Sequence, residues 1–290
     1  MKKSFLVLML LSATIFSAHS KSKSTTVIYG DDNREDVFSI DNSLLLRLAE
    51  STAAAIQTHK IQEFNLEQIV LKGENLTSNM ICESERFSKQ PAVAHCSGFL
   101  VAENILVTAG HCMDSEQACS GTSWVFDYKV DYADQEEIIL DKSKVYGCKK
   151  IISQKLTEDT LIDYAVIELD RPVKDRKPLK MRKQGKPAVG DEIVVIGHPS
   201  GLPTKITDGA KIRNVNDVFF AANLDTYGGN SGSAVFNLKS GLVEGILVRG
   251  EEDFVASEDG MCGVSNKIGE DEGRGEDVTL ITIVEGLPKK

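Results

Sequence analysis

The sequence has no hydrophobic run long enough to cross a membrane and no internal repeat of fixed period. Its most apolar stretch, residues 5–16, has 12 residues, whereas a membrane-spanning helix needs roughly 20. Six cysteines in 290 residues are too few for a small scaffold built mainly from disulfides, but they allow two or three bridges. Basic residues are in deficit, since 33 Lys and Arg face 43 Asp and Glu, for a net charge of -10. This balance disfavours nucleic acid as a partner, because phosphate binding needs a basic face.

The first 20 residues have the order of a secretory signal peptide. Two lysines precede the apolar run, and small residues at Ala18 and Ser20 offer a cleavage site. We expect residues 1–20 to be removed on export, residues 21–26 to form a short propeptide, and the product to be secreted, extracellular or periplasmic, without a membrane anchor. Loss of the two lysines would change the net charge from -10 to -12. An oxidising destination makes disulfides the expected state of the cysteines.

The rest of the composition is that of a folded chain, with 41% hydrophobic and 26% charged residues, which excludes disordered and collagen-like proteins. From Cys96 onward, short apolar runs such as 98–101 and 105–108 alternate with turn residues. Many short runs at this spacing predict a β-barrel or sandwich rather than alternating strands and helices. Residues 171–190 are rich in Lys, Arg and Pro, and we expect them to connect two domains.

Two regions outside these runs have weaker patterns. Residues 43–50 predict a short helix capped by Asp41 or Ser43, and residues 51–56 either continue it or begin the first strand. Residues 251–277 contain ten acidic and two basic residues, and we interpret this acidic tract as a solvated surface loop. A calcium site, or a surface that attracts basic substrates, is the alternative. Because the tract has no fixed-spacing calcium motif, no metal is predicted.

A histidine follows two apolar runs, in the sequence Thr-Ala-Gly-His-Cys at 108–112. Histidine suits proton transfer, because its unperturbed pKa of about 6.5 is near neutrality. Cys96 and Cys112 lie 16 residues apart on either side of these runs, so a disulfide between them would hold the His111 loop. Closing a loop of that length stabilises a fold by roughly 3 kcal/mol in the chain-entropy model. By itself, such a histidine is more often structural.

Two further segments place polar residues next to apolar strands. Asp163 begins the run 163–169, where a carboxylate can be buried and still point at a neighbour. Ser231 lies in the sequence Gly-Gly-Asn-Ser-Gly at 228–232, just before an apolar run that starts at Ala234. Glycines before a serine allow positive φ angles and can direct backbone N–H groups inward, as an oxyanion hole requires.

In the order His, Asp, Ser, the three segments together resemble the trypsin-like (chymotrypsin-fold) serine proteases. The signatures of that family are Thr-Ala-Ala-His-Cys, Asp-Ile-Ala-Leu and Gly-Asp-Ser-Gly-Gly. Here residues 108–112, 163–166 and 229–233 are Thr-Ala-Gly-His-Cys, Asp-Tyr-Ala-Val and Gly-Asn-Ser-Gly-Ser. Each segment is weak evidence singly, but the three in this order specify the family.

Within the family, Gly-Gly-Asn-Ser-Gly-Ser at 228–233 is similar to the bacterial glutamyl endopeptidases, and so is Val-Ile at 27–28. The resemblance covers most of residues 27–285. It implies an all-β fold of two six-stranded antiparallel barrels with the active site in the cleft between them. An N-terminal extension and the first barrel would occupy residues 27–175, and the second barrel residues 176–290.

The resemblance also implies hydrolysis of protein or peptide substrates by acyl transfer, without a metal or organic cofactor. Ser231 would attack the scissile carbonyl, His111 would take its proton and pass it to the leaving amine, and Asp163 would orient the imidazole. The N–H groups of Gly229 and Ser231 would bind the oxyanion; losing one such donor typically costs about 100- to 1,000-fold in rate. We expect a monomer. The alternative is a non-catalytic binding protein on a protease scaffold, against which the presence of all three triad residue types counts.

Asp225, Thr226, Leu247 and Arg249 are the candidates for the specificity pocket. Asp225 has the same offset from Ser231 as the aspartate that selects basic side chains in trypsin, so we favour Arg or Lys as the P1 residue. Leu247 occupies the place of a histidine that helps glutamyl endopeptidases bind glutamate, and leucine cannot donate a hydrogen bond. Arg249 could neutralise Asp225, block the pocket or recruit an acidic side chain, and these alternatives stay open.

Asn230 stands where trypsin has the aspartate that pairs with the newly formed N-terminal amine, so activation by that ion pair is not expected. By analogy with the glutamyl endopeptidases, processing before Val27 would bring the new amine to the pocket. His198, in a Gly-His-Pro turn, is expected to be structural.

The four cysteines outside the histidine loop allow three pairings, of which we favour Cys119–Cys148 and Cys82–Cys262. A zinc site made of His111, Cys112 and Cys119 is the disfavoured alternative, because export and the position of Cys96 favour a disulfide.

Overall fold

The computed structural model describes residues 28–250 and 252–288. The expected signal peptide, the short propeptide and Val27 lie outside these residues. Within the described part of the chain, no helix combines the length and the apolar character needed to cross a membrane.

Strands dominate the described residues, which contain two short α-helices, α1 (Ser43–Ala49) and α2 (Glu116–Gly121), and seven single turns of 3₁₀ helix. Up to residue 169 the strands are β1 (Ile28–Tyr29), β2 (Arg34–Asp36), β3 (Thr52–Gln57), β4 (Gln62–Glu63), β5 (Gln68–Lys72), β6 (Ala94–Ala102), β7 (Ile105–Thr108), β8 (Thr122–Phe126), β9 (Glu137–Asp141), β10 (Val145–Leu156) and β11 (Asp163–Leu169). After it they are β12 (Glu192–Gly197), β13 (Lys205–Val215), β14 (Phe219–Ala222), β15 (Ala234–Asn237), β16 (Val243–Arg249), β17 (Phe254–Ala256), β18 (Gly263–Ser265), β19 (Lys267–Ile268) and β20 (Glu276–Leu280).

The first barrel is a closed antiparallel ring of strands β10, β11, β7, β6, β3 and β8. Helix α1 precedes it and is capped by Asn42, not by Asp41 or Ser43, because the Asn42 side chain accepts the N–H groups of Leu44 and Leu45. The residues after α1 form strand β3 instead of continuing the helix. Apolar side chains fill the ring, and the largest that are fully buried include Trp124, Phe99 and Phe126.

The second barrel contains strands β12, β15, β16, β20, β14 and β13, and pairing between β12 and β13 closes the ring. Its apolar core includes Phe220, Leu224, Val235 and Leu247. The predicted all-β fold of two six-stranded barrels is therefore confirmed. Residues 171–190 lie between β11 and β12 and have little regular structure.

The N-terminal segment, residues 28–36, crosses the second barrel before the chain enters the first. Strand β1 pairs in parallel with β19, and β2 pairs with β13. The segment was expected to accompany the first barrel, but its backbone hydrogen bonds tie it to the second. It therefore lies beside the loops that precede Ser231.

Three disulfides join the six cysteines in the predicted pairs: Cys96–Cys112, Cys119–Cys148 and Cys82–Cys262. The first ties β6 to the His111 turn, the second ties α2 to β10, and the third ties the loop before β6 to the β17–β18 hairpin. Sulfur atoms in disulfides are not thiolate ligands, so the zinc alternative loses two of its three ligands.

Candidate active site

Antiparallel pairing in the first barrel brings His111 to Asp163. Strand β7 ends at Thr108, opposite Ala165 of β11, so the turn after β7 faces the start of β11. The distance from His111 Nδ1 to Asp163 Oδ2 is 2.8 Å, while Asp163 Oδ1 accepts the N–H groups of Gly110 at 2.6 Å and His111 at 3.2 Å. Asp163 is 2% exposed. One buried carboxylate therefore holds both the imidazole and the turn that carries it.

Gly110 allows this turn to pack against the barrel. A Cβ atom at Gly110 would lie 2.3 Å from the carbonyl oxygen of Lys155 and 2.8 Å from that of Tyr164. Both obstacles are backbone atoms, so a larger residue would displace the turn and the His111 ring with it. The turn as packed here therefore has no room for a Cβ atom at position 110.

The loop that carries Ser231 lies against the same edge of the first barrel. A Cβ atom at Gly232 would lie 2.1 Å from the carbonyl oxygen of Ser97 and 2.3 Å from Thr108 Oγ1. The carbonyl oxygen of Ser231 lies 3.7 Å from Cys112 Sγ, in the residue after His111. Ser231 is thus beside the histidine turn, and its Oγ makes no hydrogen bond to another described residue.

Two backbone N–H groups of this loop are directed away from the protein's own acceptors. Gly228 O accepts the N–H of Ser200 at 2.6 Å, and Asn230 O accepts that of Ser233 at 2.9 Å. Because a trans peptide is planar, its N–H points opposite to its C=O, so these bonds set the directions of the Gly229 and Ser231 N–H groups. Neither N–H has an acceptor among the described residues, as an oxyanion hole requires. Gly229 adopts φ +93°, in the region that favours glycine.

Asp225 is enclosed by the N-terminal segment. Its Oδ1 accepts the N–H of Tyr29 at 2.7 Å, and its Oδ2 accepts that of Asn33 at 3.0 Å. Asp225 is 2% exposed, and burial raises its pKa to about 7, although the hydrogen bonds from the two backbone N–H groups act to lower it. The carboxylate that was expected to face a basic P1 side chain thus has two backbone partners.

The other residues proposed for specificity have different environments. Leu247 packs in the core of the second barrel. Arg249 Nε lies 3.2 Å from Asp277 Oδ2, its Nη2 donates to Leu161 O at 2.9 Å, and its Nη1 lies 4.0 Å from Asp163 Oδ2. Arg249 was considered as a residue that could neutralise Asp225, but its ion pairs are with Asp277 and Asp163 instead. Thr226 donates its hydroxyl to Glu276 Oε2 at 2.7 Å.

Two acidic residues beside the Ser231 loop were not anticipated. Glu276 is fully buried between Thr226 and Gly250, and Asp253 Oδ2 accepts the N–H of Gly228 at 2.8 Å. Burial raises the pKa of Asp253 to about 7 and that of Glu276 well above its usual value, to which the Asp253 charge contributes. Both belong to the tract predicted as a solvated loop. That prediction is wrong at its C-terminal end, where strand β20 is buried throughout; the apolar Val278 and Leu280 directly after the tract were the available signal.

His198 and Asn230 have structural environments. His198 is fully buried, its ring stacks on Tyr128 at 5.6 Å between centroids, and burial lowers its pKa to about 3. The Asn230 side chain accepts the hydroxyl of Ser233 at 3.3 Å. An asparagine here therefore supports the loop from within the second barrel.

A family model described as trypsin-like peptidase domain matches residues 96–246, more than half of the chain. Trypsin Blo t 3 from Blomia tropicalis is 22% identical over 159 residues, which cover 52% of this chain and 58% of that protein. The probable periplasmic serine endoprotease DegP-like from Buchnera aphidicola is 28% identical over 138 residues, covering 42% of this chain and 29% of that protein. The matched region thus spans less than two thirds of either relative.

Solved structures also resemble this chain at low identity. A Glu endopeptidase in complex with MPD has a TM-score of 0.49 and 16% identity, covering 89% of this chain and 94% of its own. The active form of the Rv3671c protease from M. tuberculosis has a TM-score of 0.48 and 15% identity, covering 97% and 92%.

Proposed function

This chain belongs to the trypsin-like peptidase domain family, and on that premise we propose that it is a secreted serine endopeptidase. The observation that carries the proposal is the Asp163 carboxylate, which holds the His111 ring and its turn beside a Ser231 loop with two unpaired N–H groups. A binding protein on the same scaffold would have no need for this combination.

The chemistry follows from these positions. Ser231 Oγ attacks the scissile carbonyl while His111 Nε2 takes its proton, and Asp163 stabilises the imidazolium that forms. The N–H groups of Gly229 and Ser231 donate to the oxyanion of the tetrahedral intermediate. His111 then protonates the leaving amine, and water hydrolyses the acyl-enzyme by the same route in reverse.

We propose Lys or Arg as the preferred P1 residue, with Glu276 and Asp253 as supporting acids beside Asp225. Thr226 donates to Glu276 and Gly228 donates to Asp253, so both acids lie beside the segment 225–228, which begins with Asp225. Burial raises the pKa of each, which means that each would gain from a nearby cation when it ionises. An acidic P1 side chain would add like charge to this group.

Three disulfides support export, since such bonds persist in oxidising compartments. Protein or peptide substrates are the partners that the family implies. Removal of the residues before Val27 remains part of the proposal, and Edman sequencing of active enzyme checks it: a fully active form that starts at Lys21 would contradict it.

Fluorophosphonate labelling of the purified protein tests the function, with Ser231→Ala as the matched control. We expect labelling of the native protein alone, and a folded native protein that resists labelling would support the binding-protein alternative.

Digestion of a peptide library by enzyme that the probe labels tests the P1 preference. Cleavage mainly after Lys and Arg is expected, whereas a clear preference for cleavage after Glu would contradict the basic P1 assignment.

A further inference from the structure

Four consecutive peptide units form the Ser231 loop, and a donor holds the carbonyl oxygen of each one. Ser200 and Ser233, of the second barrel, hold the oxygens of Gly228 and Asn230. The other two bonds come from one residue of the first barrel: Ser97 Oγ donates to Gly229 O at 2.8 Å, and Ser97 N donates to Ser231 O at 2.8 Å. Ser97 thus holds the second and the fourth of these peptide units from across the cleft.

The Ser97 side chain is enclosed and hydrogen bonded through both its donor and its acceptor. It is completely buried in β6, and its Oγ also accepts the N–H of His198 at 3.0 Å. Its carbonyl oxygen accepts the Thr108 hydroxyl at 2.7 Å. Since a hydroxyl has one hydrogen to donate, the bond from His198 leaves that hydrogen for Gly229 O.

Ser97 is also connected to the histidine turn. Cys96, the preceding residue, forms a disulfide with Cys112, the residue after His111. The same short stretch of β6 is therefore bonded to the turn that carries the general base and to the loop that carries the nucleophile. The distance between those two groups depends on this stretch, because they belong to different barrels.

We propose that Ser97 is a positioning residue for the oxyanion hole, whose hydroxyl orients the Gly229–Asn230 peptide. That peptide lies between the two N–H donors, so its rotation would turn the donors away from a common point. This role rests on the proposed endopeptidase function. Since the donors act on charge that develops in the transition state, losing their alignment lowers kcat and leaves KM nearly unchanged.

Ser97→Ala removes the hydroxyl and keeps the backbone bond to Ser231. Ser51→Ala is the matched control, because Ser51 is 1% exposed in the first barrel and its hydroxyl donates to Lys177 O at 2.6 Å, away from the cleft. We expect kcat to fall about 10- to 100-fold for Ser97→Ala, since a mispositioned donor loses part of the effect of a deleted one. We expect KM to stay within about two-fold, and Ser51→Ala to stay within about two-fold in both constants.

Binding of a peptide aldehyde provides a second readout, because its adduct with Ser231 carries an oxyanion. Its affinity should fall with kcat in Ser97→Ala, whereas a non-covalent product peptide should bind equally well. Thr108→Val, which loosens Ser97 without changing its hydroxyl, should show a smaller loss of the same kind and serves if Ser97→Ala does not fold. Equal kcat in Ser97→Ala and Ser51→Ala would overturn the role of Ser97, and a wild type that fluorophosphonate does not label would instead overturn the endopeptidase function.

Discussion

The two barrels bury different kinds of polar side chain. In the first barrel these are mainly hydroxyl groups, with Asp163 as the buried carboxylate. In the second barrel and the N-terminal segment that crosses it they are charged residues, including Arg34, Asp36, Lys205, Asp225, Glu244, Glu276 and Asp277. Buried charges carry a desolvation cost that buried hydroxyls do not.

This difference corresponds to the two tasks of the site. The first barrel needs one carboxylate in one position, and an apolar core with three N–H bonds to Asp163 provides it. The second barrel supports the Ser231 loop, beside which burial raises the pKa of Asp225, Asp253 and Glu276 and so disfavours their charged forms. The comparison indicates that the first barrel fixes the position of the His111 turn and that the second buries charge beside the Ser231 loop at a cost in stability.

The largest effect is expected at the single buried carboxylate of the first barrel. Asp163→Asn keeps the size of the side chain but can no longer hold the His111 tautomer that accepts the Ser231 proton. We expect kcat to fall about 10,000-fold, measured with a basic-P1 peptide substrate. Asp170→Asn, at the exposed residue directly after the same strand, is the control and should leave kcat unchanged. A comparable loss there would show that the strand, not the Asp163 charge, is responsible.

The next effect concerns the buried ion pair of the second barrel. Lys205 Nζ lies 2.5 Å from Asp36 Oδ1, and the Lys205 side chain is 0% exposed. Lys205→Met leaves the buried Asp36 without a counter-charge and with the Gln90 amide as its hydrogen-bond partner, so we expect a loss of about 3–5 kcal/mol in urea unfolding. Adding Asp36→Leu should restore only part of it, because the buried Gln90 amide donates to Asp36 and accepts from Lys205 and would lose both bonds.

An exposed pair gives the contrast for that experiment. Lys186 and Asp217 have side-chain exposures of 41% and 99%, so Lys186→Met should cost about 0–1 kcal/mol. The proposed contrast between buried and exposed charge would fail if Lys205→Met lowered the free energy of unfolding no more than Lys186→Met does.

The smallest effect is pH-dependent and concerns Asp253. Burial raises the pKa of folded Asp253 to about 7, above the usual 3.8, so folding takes up a proton between these values and stability falls as pH rises through them. Asp253→Asn should therefore stabilise the protein by about 1–3 kcal/mol at pH 8 and have little effect at pH 4, measured by thermal unfolding at both.

Asp259 in the same tract is the control, because it is exposed and hydrogen bonds from Met261 and Ser257 lower its pKa. Its replacement by asparagine should have a small effect of opposite sign, destabilising at the higher pH. A gain for Asp253→Asn that is equal at pH 4 and pH 8 would argue against an ionisation cost at this position.

The sequence alone predicted the features that depend on neighbouring residues. Strand β7 was expected at its observed bounds, and the Cys96–Cys112 pair followed from its position around the His111 loop. The residues of the proposed triad were recognisable because their chemistry requires specific neighbours, such as glycines before Ser231. Predictions that depended on distant parts of the chain were less successful, as for the buried end of the acidic tract.

Local pattern thus predicted short strands in a β-barrel or sandwich, since apolar runs and turn residues act over a few positions, whereas the two barrels and the roles of the triad residues came from the resemblance to a known family. Only the tertiary structure decided that Asp225 meets the N–H of Tyr29, 196 positions away, and that Glu276 is buried beside Thr226. It also decided that Ser97 holds the Ser231 loop across the cleft. Burial and hydrogen-bond partners at such separations arise from how the chain crosses itself, which no short stretch of sequence records.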